Sequence, residues 1–505
     1  MPPMAMLDQG VSLRDLLLEG DFRGARDIVV QSCSSDSRCV QPGDLFVALT
    51  GSNVDGHDFV QEAVARGARA ILAERLLPMH ALPTCIVPDT RSAHGQVCQA
   101  LAGDPSRQLK VIGVTGTNGK TTTASLIAAV LDHAGLRTGV MGTLGYTDGE
   151  QVSRSSHTTP PAPLLAHWLS STAAAGCSHA VLEVSSRAMA QSRLAGVELD
   201  AVCITNVRGN HLDYHGSVLN YRNAKYRLFD HLSASGVAIL NADDPVCVDW
   251  LSCLDHPALT TGMDHPAELT ATVVERFRGE QTFLLSAGSE TVPVRTKIIG
   301  DHHVANCLIA AALGLTYGID LPTVVRGLES VQGVPGRMES IDRGQPFGVV
   351  VDCADGPDAL SAVLTTLREV TTGRLLCVFD ADGDGDRSQR PAIGAVVDRL
   401  ADVVVLTNGE GENDGSRQTI DQIRRGFDRS AATAVETIED RGDAIRWAFE
   451  HARPDDCVLV AGTGRRRFQT AGGYPLPSDD RDLVHHLLDQ MHNRLPAEYC
   501  QACFG

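Results

Sequence analysis

Residues 111–134, VIGVTGTNGKTTTASLIAAVLDHA, constrain this chain more than any other stretch. Val111 to Val114 is a short apolar run of the kind that forms a buried strand. Gly116, Thr117, Asn118 and Gly119 make a loop with little side-chain bulk. Lys120 and Thr121 open an amphipathic segment in which Leu126, Ile127, Val130 and Leu131 recur at helical spacing. A strand, a glycine loop and a helix start build an anion site, because backbone N–H groups and the helix dipole both favour negative charge there. Two readings compete: a nucleotide-binding loop, or a glycine-rich turn before a core helix. The Lys-Thr pair after the last glycine favours the first. Lys120 would reach the β- and γ-phosphates, and the Thr121 hydroxyl would ligate Mg²⁺. The pattern GxxxxGK[ST] is met imperfectly: it places glycine at 114, where this chain has Val114 between Gly113 and Gly116.

Length and charge bound the alternatives. A chain of 505 residues suggests about three domains. Lys and Arg total 43 against 62 Asp and Glu, a net charge of −19, which argues against a general nucleic-acid binder. Nucleotides need only one local positive pocket. No apolar run reaches the about 18 residues of a membrane span, and MPPMAMLDQG lacks signal-peptide character. A cytoplasmic protein is expected. Of the 14 cysteines, Cys203, Cys377 and Cys457 sit in strand-like apolar runs and read as small core residues in a reducing compartment. Cys500 and Cys503 form one C-x-x-C at the end of the sequence, too few ligands for zinc by themselves.

Helix and strand patterns alternate along the chain, which predicts an α/β protein. Residues 1–105 read as a first domain. In it a strand, Leu45 to Leu49, follows a Pro-Gly turn, and FVQEAVARGARAILAE reads as a helix ending at Gly67 and a strand at Ala68 to Leu72. Residues 106–335 continue the alternation. HAVLEVSS is a strand that delivers Glu183 at its carboxyl end, where open α/β sheets gather their ligands. Glu183 is either a satisfied structural acid or a second oxygen ligand to the nucleotide's Mg²⁺, and its position favours the second. HLDYHG adds His211, Asp213 and His215, a cluster that is as often surface decoration as a metal site. In NAKYRLFDHL, Lys225 stands on a helical segment among apolar residues, where a lone lysine ordinarily reaches out to solvent. Residues 336–505 carry strands at Val349–Asp352, Leu375–Phe379, Val403–Leu406 and Val458–Ala461, with a helix near Pro357. That pattern suggests a parallel Rossmann-like sheet.

TGTNGKTT, HTTP, LEVSS, TNV with HLDYHG, and NAKYRLF together resemble the Mur ligases of peptidoglycan synthesis, most closely the UDP-N-acetylmuramoyl-tripeptide synthetases. DSR at Asp36 to Arg38, PGDLFVAL and DGHDF resemble that family's UDP-binding domain, and VPGRME its central-to-C-terminal junction. The resemblance implies three domains: an N-terminal UDP-binding α/β domain, a central P-loop ATPase and a C-terminal Rossmann-like amino-acid-binding domain. It implies ATP-dependent addition of an amino acid to UDP-N-acetylmuramoyl-dipeptide through an acyl phosphate, by a monomer that serves cell-wall synthesis and hence cell shape and division. By resemblance Lys120, Glu183, His211 and Lys225 are catalytic. Gly116, Thr117, Asn118, Gly119, Lys120, Thr121, Thr122, Asn306, Arg337 and Asp352 bind ATP. Thr121, Glu183, His211 and Lys225 hold two Mg²⁺ ions, Lys225 as a carbamate. Ser37, His157, Thr158, Thr159, Ser185, Gln191 and Arg193 meet the UDP-muramoyl-peptide, through hydroxyls and an arginine suited to pyrophosphate and amides.

Several positions depart from the family pattern. His157 stands for Asn, Arg187 for His, His303 for the first Asn of the adenine motif, and Asp355 for His. Gly385, in FDADGDGDRSQRP, replaces the Arg expected to grip the incoming amino acid. The diaminopimelate motif DNPR aligns with Gly409-Glu410-Gly411-Glu412, and GKGHE with Gly462-Thr463-Gly464-Arg465-Arg466. Two charges are thereby reversed, so diaminopimelate is expected to be a poor substrate or none, with an amine donor lysine-like in charge as the alternative. DADGDGDRS also has the early spacing of a calcium loop at Asp380, Asp382 and Asp384, but its twelfth position is Pro391. Two further readings follow from the departures: a non-catalytic relative that binds nucleotide or UDP-sugar, and a folylpolyglutamate-synthetase-like ligase, against which DSR and HTTP argue.

Overall fold

The computed structural model describes residues 10–51, 54–77, 82–380, 387–407, 416–428, 433–462 and 479–492. The chain forms two compact units. The first comprises Met1–Val207, Leu219–Thr260 and Ile309–Val324; the second comprises Arg208–Val218, Thr261–Leu308 and Val325–Gly505.

Besides a two-stranded ribbon of Val11–Ser12 and Val29–Val30, the first unit contains two larger sheets. The smaller has the order Asp21–Arg23, Thr84–Ile86, Ala70–Ala73, Leu45–Val47, Cys33–Ser34, parallel except for its first pair. Its elements are shorter than their patterns suggest. The strand expected to reach Leu49 ends at Val47, the helix spans Val60–Ala65, and the strand after it is Ala70–Ala73. The larger sheet is built on the strand Lys110–Thr115, with His179–Glu183 and Thr138–Gly142 on one side and Leu199–Ile204 and Leu232–Asn241 on the other, all parallel. Val111, Ile112, Val114 and all five residues of His179–Glu183 are buried, as strands covered on both faces require. The helix Lys120–His133 follows the first strand and turns Leu126, Ile127, Val130 and Leu131 into the core. Burying each of these side chains contributes roughly 1.5–3 kcal/mol. The helix ends at His133, and Gly135, two residues on, takes a φ of 76°, the left-handed stop after a helix. From it the chain runs to Thr138–Gly142, returns to His179–Glu183, and crosses Lys110–Thr115 to reach Leu199–Ile204. That change of side opens a crevice at the carboxyl end of Lys110–Thr115.

In the second unit Leu269–Phe277, Glu280–Ala287 and Glu290–Thr296 form an antiparallel meander. A six-stranded sheet follows in the order Glu339–Ser340, Gly348–Asp352, Cys457–Ala461, Leu375–Asp380, Val403–Thr407, Ala434–Thr437, parallel apart from its first strand. The four strands read from the sequence in this region are all present. Cys203, Cys377 and Cys457 are buried free thiols, as expected of small core residues.

Candidate active site

Four elements meet around the glycine loop. Gly119 takes a φ of 84° just ahead of the helix, a left-handed conformation that glycine adopts freely. Thr205 and Asn206, which follow the strand Leu199–Ile204, pin the loop from the other side. The Thr117 N–H donates to Asn206 O (2.8 Å) and the Asn118 N–H to Asn206 Oδ1 (3.0 Å). Asn206 Nδ2 and the Thr205 hydroxyl donate to Asn118 O at 3.1 and 2.6 Å. Two loop N–H groups therefore brace the loop. The donors for an anion come from the helix's first turn, whose N–H groups have no intrahelical acceptor. Lys120 Nζ lies over the loop and donates to Gly116 O and Thr117 O, each at 2.9 Å. Thr121 and Thr122, in the same turn, are buried.

Glu183 is 2% exposed at the end of its strand. Its carboxylate accepts from the Thr121 hydroxyl (2.8 Å), the Thr143 N–H (2.9 Å) and the Thr143 hydroxyl (3.0 Å). A Cβ at Gly142 would fall 1.9 Å from Glu183 Oε1, so the neighbouring strand leaves room for this acid by having no side chain there. A carboxylate and a hydroxyl side by side, both hard oxygen donors, fit Mg²⁺ and do not fit a soft metal.

Lys225 corrects the solvent-reaching reading: it is 1% exposed. The helix Val218–Tyr226 carries it under the loop, where Nζ donates to Gly116 O (2.7 Å) and Thr115 Oγ1 (3.2 Å). The amine lies 5.0 Å from the centre of the Tyr221 ring, whose hydroxyl meets Thr117 Oγ1 at 2.9 Å. Burial, and then the nearby Lys120 charge, hold the Lys225 amine well below the usual lysine range. A buried lysine amine, more easily deprotonated than an exposed one, thus sits beneath a phosphate-type loop.

The hydroxyl and arginine set gathers on the Glu183 side of the same sheet. Thr159 Oγ1 donates to Glu183 O (2.8 Å) and accepts from the Ser185 N–H (3.0 Å). Arg193 holds Gln191 Oε1 through two N–H groups, at 2.7 and 3.0 Å, and also donates to Thr159 O. Thr158 Oγ1 lies 3.1 Å from Thr143 Oγ1. His157 is exposed, with its backbone tied to the Tyr146 hydroxyl; partial burial and the Arg193 charge lower its pKa. Thr159, Ser185, Gln191 and Arg193 therefore form one connected group. Ser37 belongs to the smaller sheet's layer, where its hydroxyl donates to Glu62 Oε2 at 2.8 Å.

His211, Asn306, Arg337 and Asp352 belong to the second unit. His211 has a φ of 54° at the start of the short helix Leu212–His215. Asn306 is buried on the helix Asp301–Thr316, beside the buried His303. Asp352 ends its strand and accepts from the Met338 N–H at 2.7 Å. Burial raises the Asp352 carboxyl, against the pull of Arg337. Asp380, the first acid of the calcium-like run, is instead paired with Arg441 at 3.2 Å. Arg441 also forks onto Asp480 at 2.6 and 2.7 Å. A buried carboxylate already neutralised by arginine is not a calcium ligand. Asp382, Asp384, Gly385, Glu410, Glu412, Arg466, Cys500 and Cys503 lie outside the described residues.

Three contributors carried no role in the sequence reading. Asn206 stood within TNV and could have been taken as the loop's brace. Tyr221 sits one helical turn before Lys225. Thr143 is 40 residues from Glu183 and becomes its neighbour only through strand pairing.

Comparison with known proteins supplies the context. Residues 114–314 match the Mur ligase middle domain, 336–464 the Mur ligase glutamate ligase domain, and 29–93 the Mur ligase family catalytic domain. The chain is 38% identical over 467 residues to a UDP-N-acetylmuramoyl-L-alanyl-D-glutamate–2,6-diaminopimelate ligase of Geobacillus thermodenitrificans, covering 91% of this chain and 95% of that protein. It is 36% identical to the protein of the same name from Chlorobium phaeobacteroides, covering 98% and 100% of the two chains. A solved structure of a ligase of that name superposes with a TM-score of 0.68 at 30% identity, covering 96% of this chain and 99% of the other.

Proposed function

We propose that this chain, which belongs to the Mur ligase family, is an ATP-dependent ligase that joins an amino acid to UDP-N-acetylmuramoyl-dipeptide in peptidoglycan precursor synthesis. The observation that carries this reading is the cluster of Lys120, Thr121, Glu183 and a buried Lys225 around one glycine loop. Residues 1–105, 106–335 and 336–505 serve as the UDP-binding, ATP-binding and amino-acid-binding domains, a division supported by the three matched segments. The enzyme works as a cytoplasmic monomer; among the described residues no helix is long and apolar enough to cross a membrane.

The reaction has two steps. A carboxylate oxygen of the dipeptide takes the γ-phosphoryl group of ATP, and ADP leaves. The amine nitrogen of the amino acid then attacks the carbonyl carbon, the bond to phosphate breaks, and the amine loses a proton. Two anions must approach in the first step, so positioning and positive charge dominate catalysis. Lys120 supplies one charge at the loop. Thr121 and Glu183 would hold one Mg²⁺, and Lys225, as a carbamate, would be a ligand to a second; His211 is a metal ligand by family resemblance. Mg²⁺ neutralises phosphate charge when bound. The deprotonated form of a lysine amine adds CO₂ and releases a proton, and burial of Lys225 favours that form; the resulting carbamate would offer hard oxygen ligands where an ammonium would repel a cation. Thr158, Thr159, Ser185, Gln191 and Arg193 orient the peptide end of the substrate, His157 borders them, and Ser37 meets the uridine diphosphate end. Asn306 contacts adenine, with Arg337 and Asp352 near the ribose and phosphates.

A non-catalytic binding role is the second reading, favoured by the altered segments at 409–412 and 462–466. Phosphate release from ATP with UDP-muramoyl-dipeptide and a panel of amino acids separates the two. Release that needs both the dipeptide and one amino acid supports the ligase. Nucleotide binding without release for any member of the panel supports the second reading.

A further inference from the structure

A second constellation lies in the smaller sheet's layer, apart from the chemistry above. Cys33 is on the strand Cys33–Ser34, and His94 and Cys98 are on the helix Thr90–Leu101. The four-residue spacing of His94 and Cys98 puts both on one helical face. Cys33 Sγ and Cys98 Sγ are 3.9 Å apart, and with a ring nitrogen of His94 the three potential ligand atoms lie within 4.8 Å of one another. Cys98 is 1% and His94 5% exposed, and Cys33 is partly buried. The Nε2 atom of His94 is buried with no hydrogen-bond partner among the described residues. Such a polar atom would ordinarily carry a penalty of about 1–3 kcal/mol, so its retention asks for a ligand.

We propose that Cys33, His94 and Cys98 bind a zinc ion, with solvent as the fourth ligand. Tetrahedral zinc with Zn–S bonds of about 2.3 Å separates two sulfurs by about 3.8 Å, close to the observed spacing. Two thiolates and an imidazole are the soft donor set that selects zinc over the Mg²⁺ used at the loop. Metal binding displaces the thiol protons, so both cysteines would ligate as thiolates and binding would release protons. The ion would tie the sheet's edge strand to the helix. That strand runs directly into the turn Ser37–Cys39, so zinc would fix the backbone that presents Ser37.

The test uses the full chain with Cys500→Ser and Cys503→Ser, which removes the terminal thiol pair as a competing site. Metal is stripped with a chelator, Co²⁺ is added as a spectroscopic probe near neutral pH, and Zn²⁺ is then added to displace it. One equivalent of cobalt should produce a thiolate charge-transfer band, and one equivalent of zinc should abolish it. Cys33→Ser and Cys98→Ser should each weaken zinc binding by more than the about tenfold to hundredfold seen for outer-shell changes. Bound zinc should also protect Cys33 and Cys98 of the otherwise unaltered chain from alkylation, a measurement that does not depend on any variant folding. No cobalt band, zinc binding that survives the Cys33→Ser/Cys98→Ser double change, or an intact mass short of two hydrogens from a Cys33–Cys98 disulfide would each overturn the proposal.

Discussion

Replacing Lys225 with Met should make the protein more stable near neutral pH while abolishing turnover. In the fold the amine is buried and gives up its proton well below 10.5, whereas in the unfolded chain it titrates near that value. Between the two pKa values the unfolded chain binds more protons, so stability rises with pH across that window by about 1.4 kcal/mol per unit. The destabilisation is complete below the folded pKa and vanishes above 10.5. Methionine has no proton to lose and removes the whole effect. Against this stand two lost hydrogen bonds, worth about 0.5–1.5 kcal/mol each. Neither acceptor is orphaned: Thr115 Oγ1 still donates to Val184 O at 2.7 Å, and Gly116 O still accepts from Lys120 at 2.9 Å. The unbranched methionine follows the lysine stem, so packing changes little. The assay is denaturant unfolding of both proteins in CO₂-free, Mg²⁺-free buffer near pH 7 and near pH 9, with equal m-values required. The stability advantage of Lys225→Met should shrink as pH rises, by at most about 1.4 kcal/mol per pH unit. A variant less stable at neutral pH, or a difference that ignores pH, would refute the claim that burial lowers the pKa of this amine.

Three further outcomes are expected. Lys120→Ala should lower ATP-dependent phosphate release by about a hundredfold or more with an unchanged circular-dichroism melt, because Nζ reaches loop carbonyls and not the core; normal release would remove Lys120 from the phosphate site. Lys225→Ala should regain part of its turnover when bicarbonate and a short carboxylic acid are added, and full activity without them would count against the carbamate. Diaminopimelate should be a poorer substrate than lysine, with the order reversed by Glu412→Arg combined with Arg466→Glu, since each like-charge contact is worth on the order of 2 kcal/mol; efficient diaminopimelate addition by the unmutated chain would mean the motif alignment there is wrong.

What the sequence could disclose followed from how locally each feature is encoded. The strands of the large sheet were legible because parallel strands buried on both faces are written as continuous apolar runs, as at Val111–Val114 and Ala180–Leu182. Glu183 was legible because it ends such a run beside a glycine loop. The smaller sheet's strands, two to four residues long, gave correspondingly blurred ends. Family resemblance marked Lys225 as a site residue, but its burial was not legible locally, because it comes from contact with Thr115 and Gly116, 110 and 109 positions away. The Cys33–His94–Cys98 group was hidden for the same reason, since only its helical pair is close in sequence.

The central claim is that this chain phosphorylates a carboxylate, and it can be tested without knowing the amino acid. Incubating the protein with ATP, Mg²⁺, UDP-muramoyl-dipeptide and hydroxylamine, with no amino acid added, traps an acyl phosphate as a hydroxamate. The account predicts a hydroxamate on the dipeptide's terminal carboxyl group, formed with one ADP per product and lost in Lys120→Ala. Nucleotide bound at the loop with no hydroxamate and no ADP formed would contradict it and leave a protein that binds its ligands without joining them.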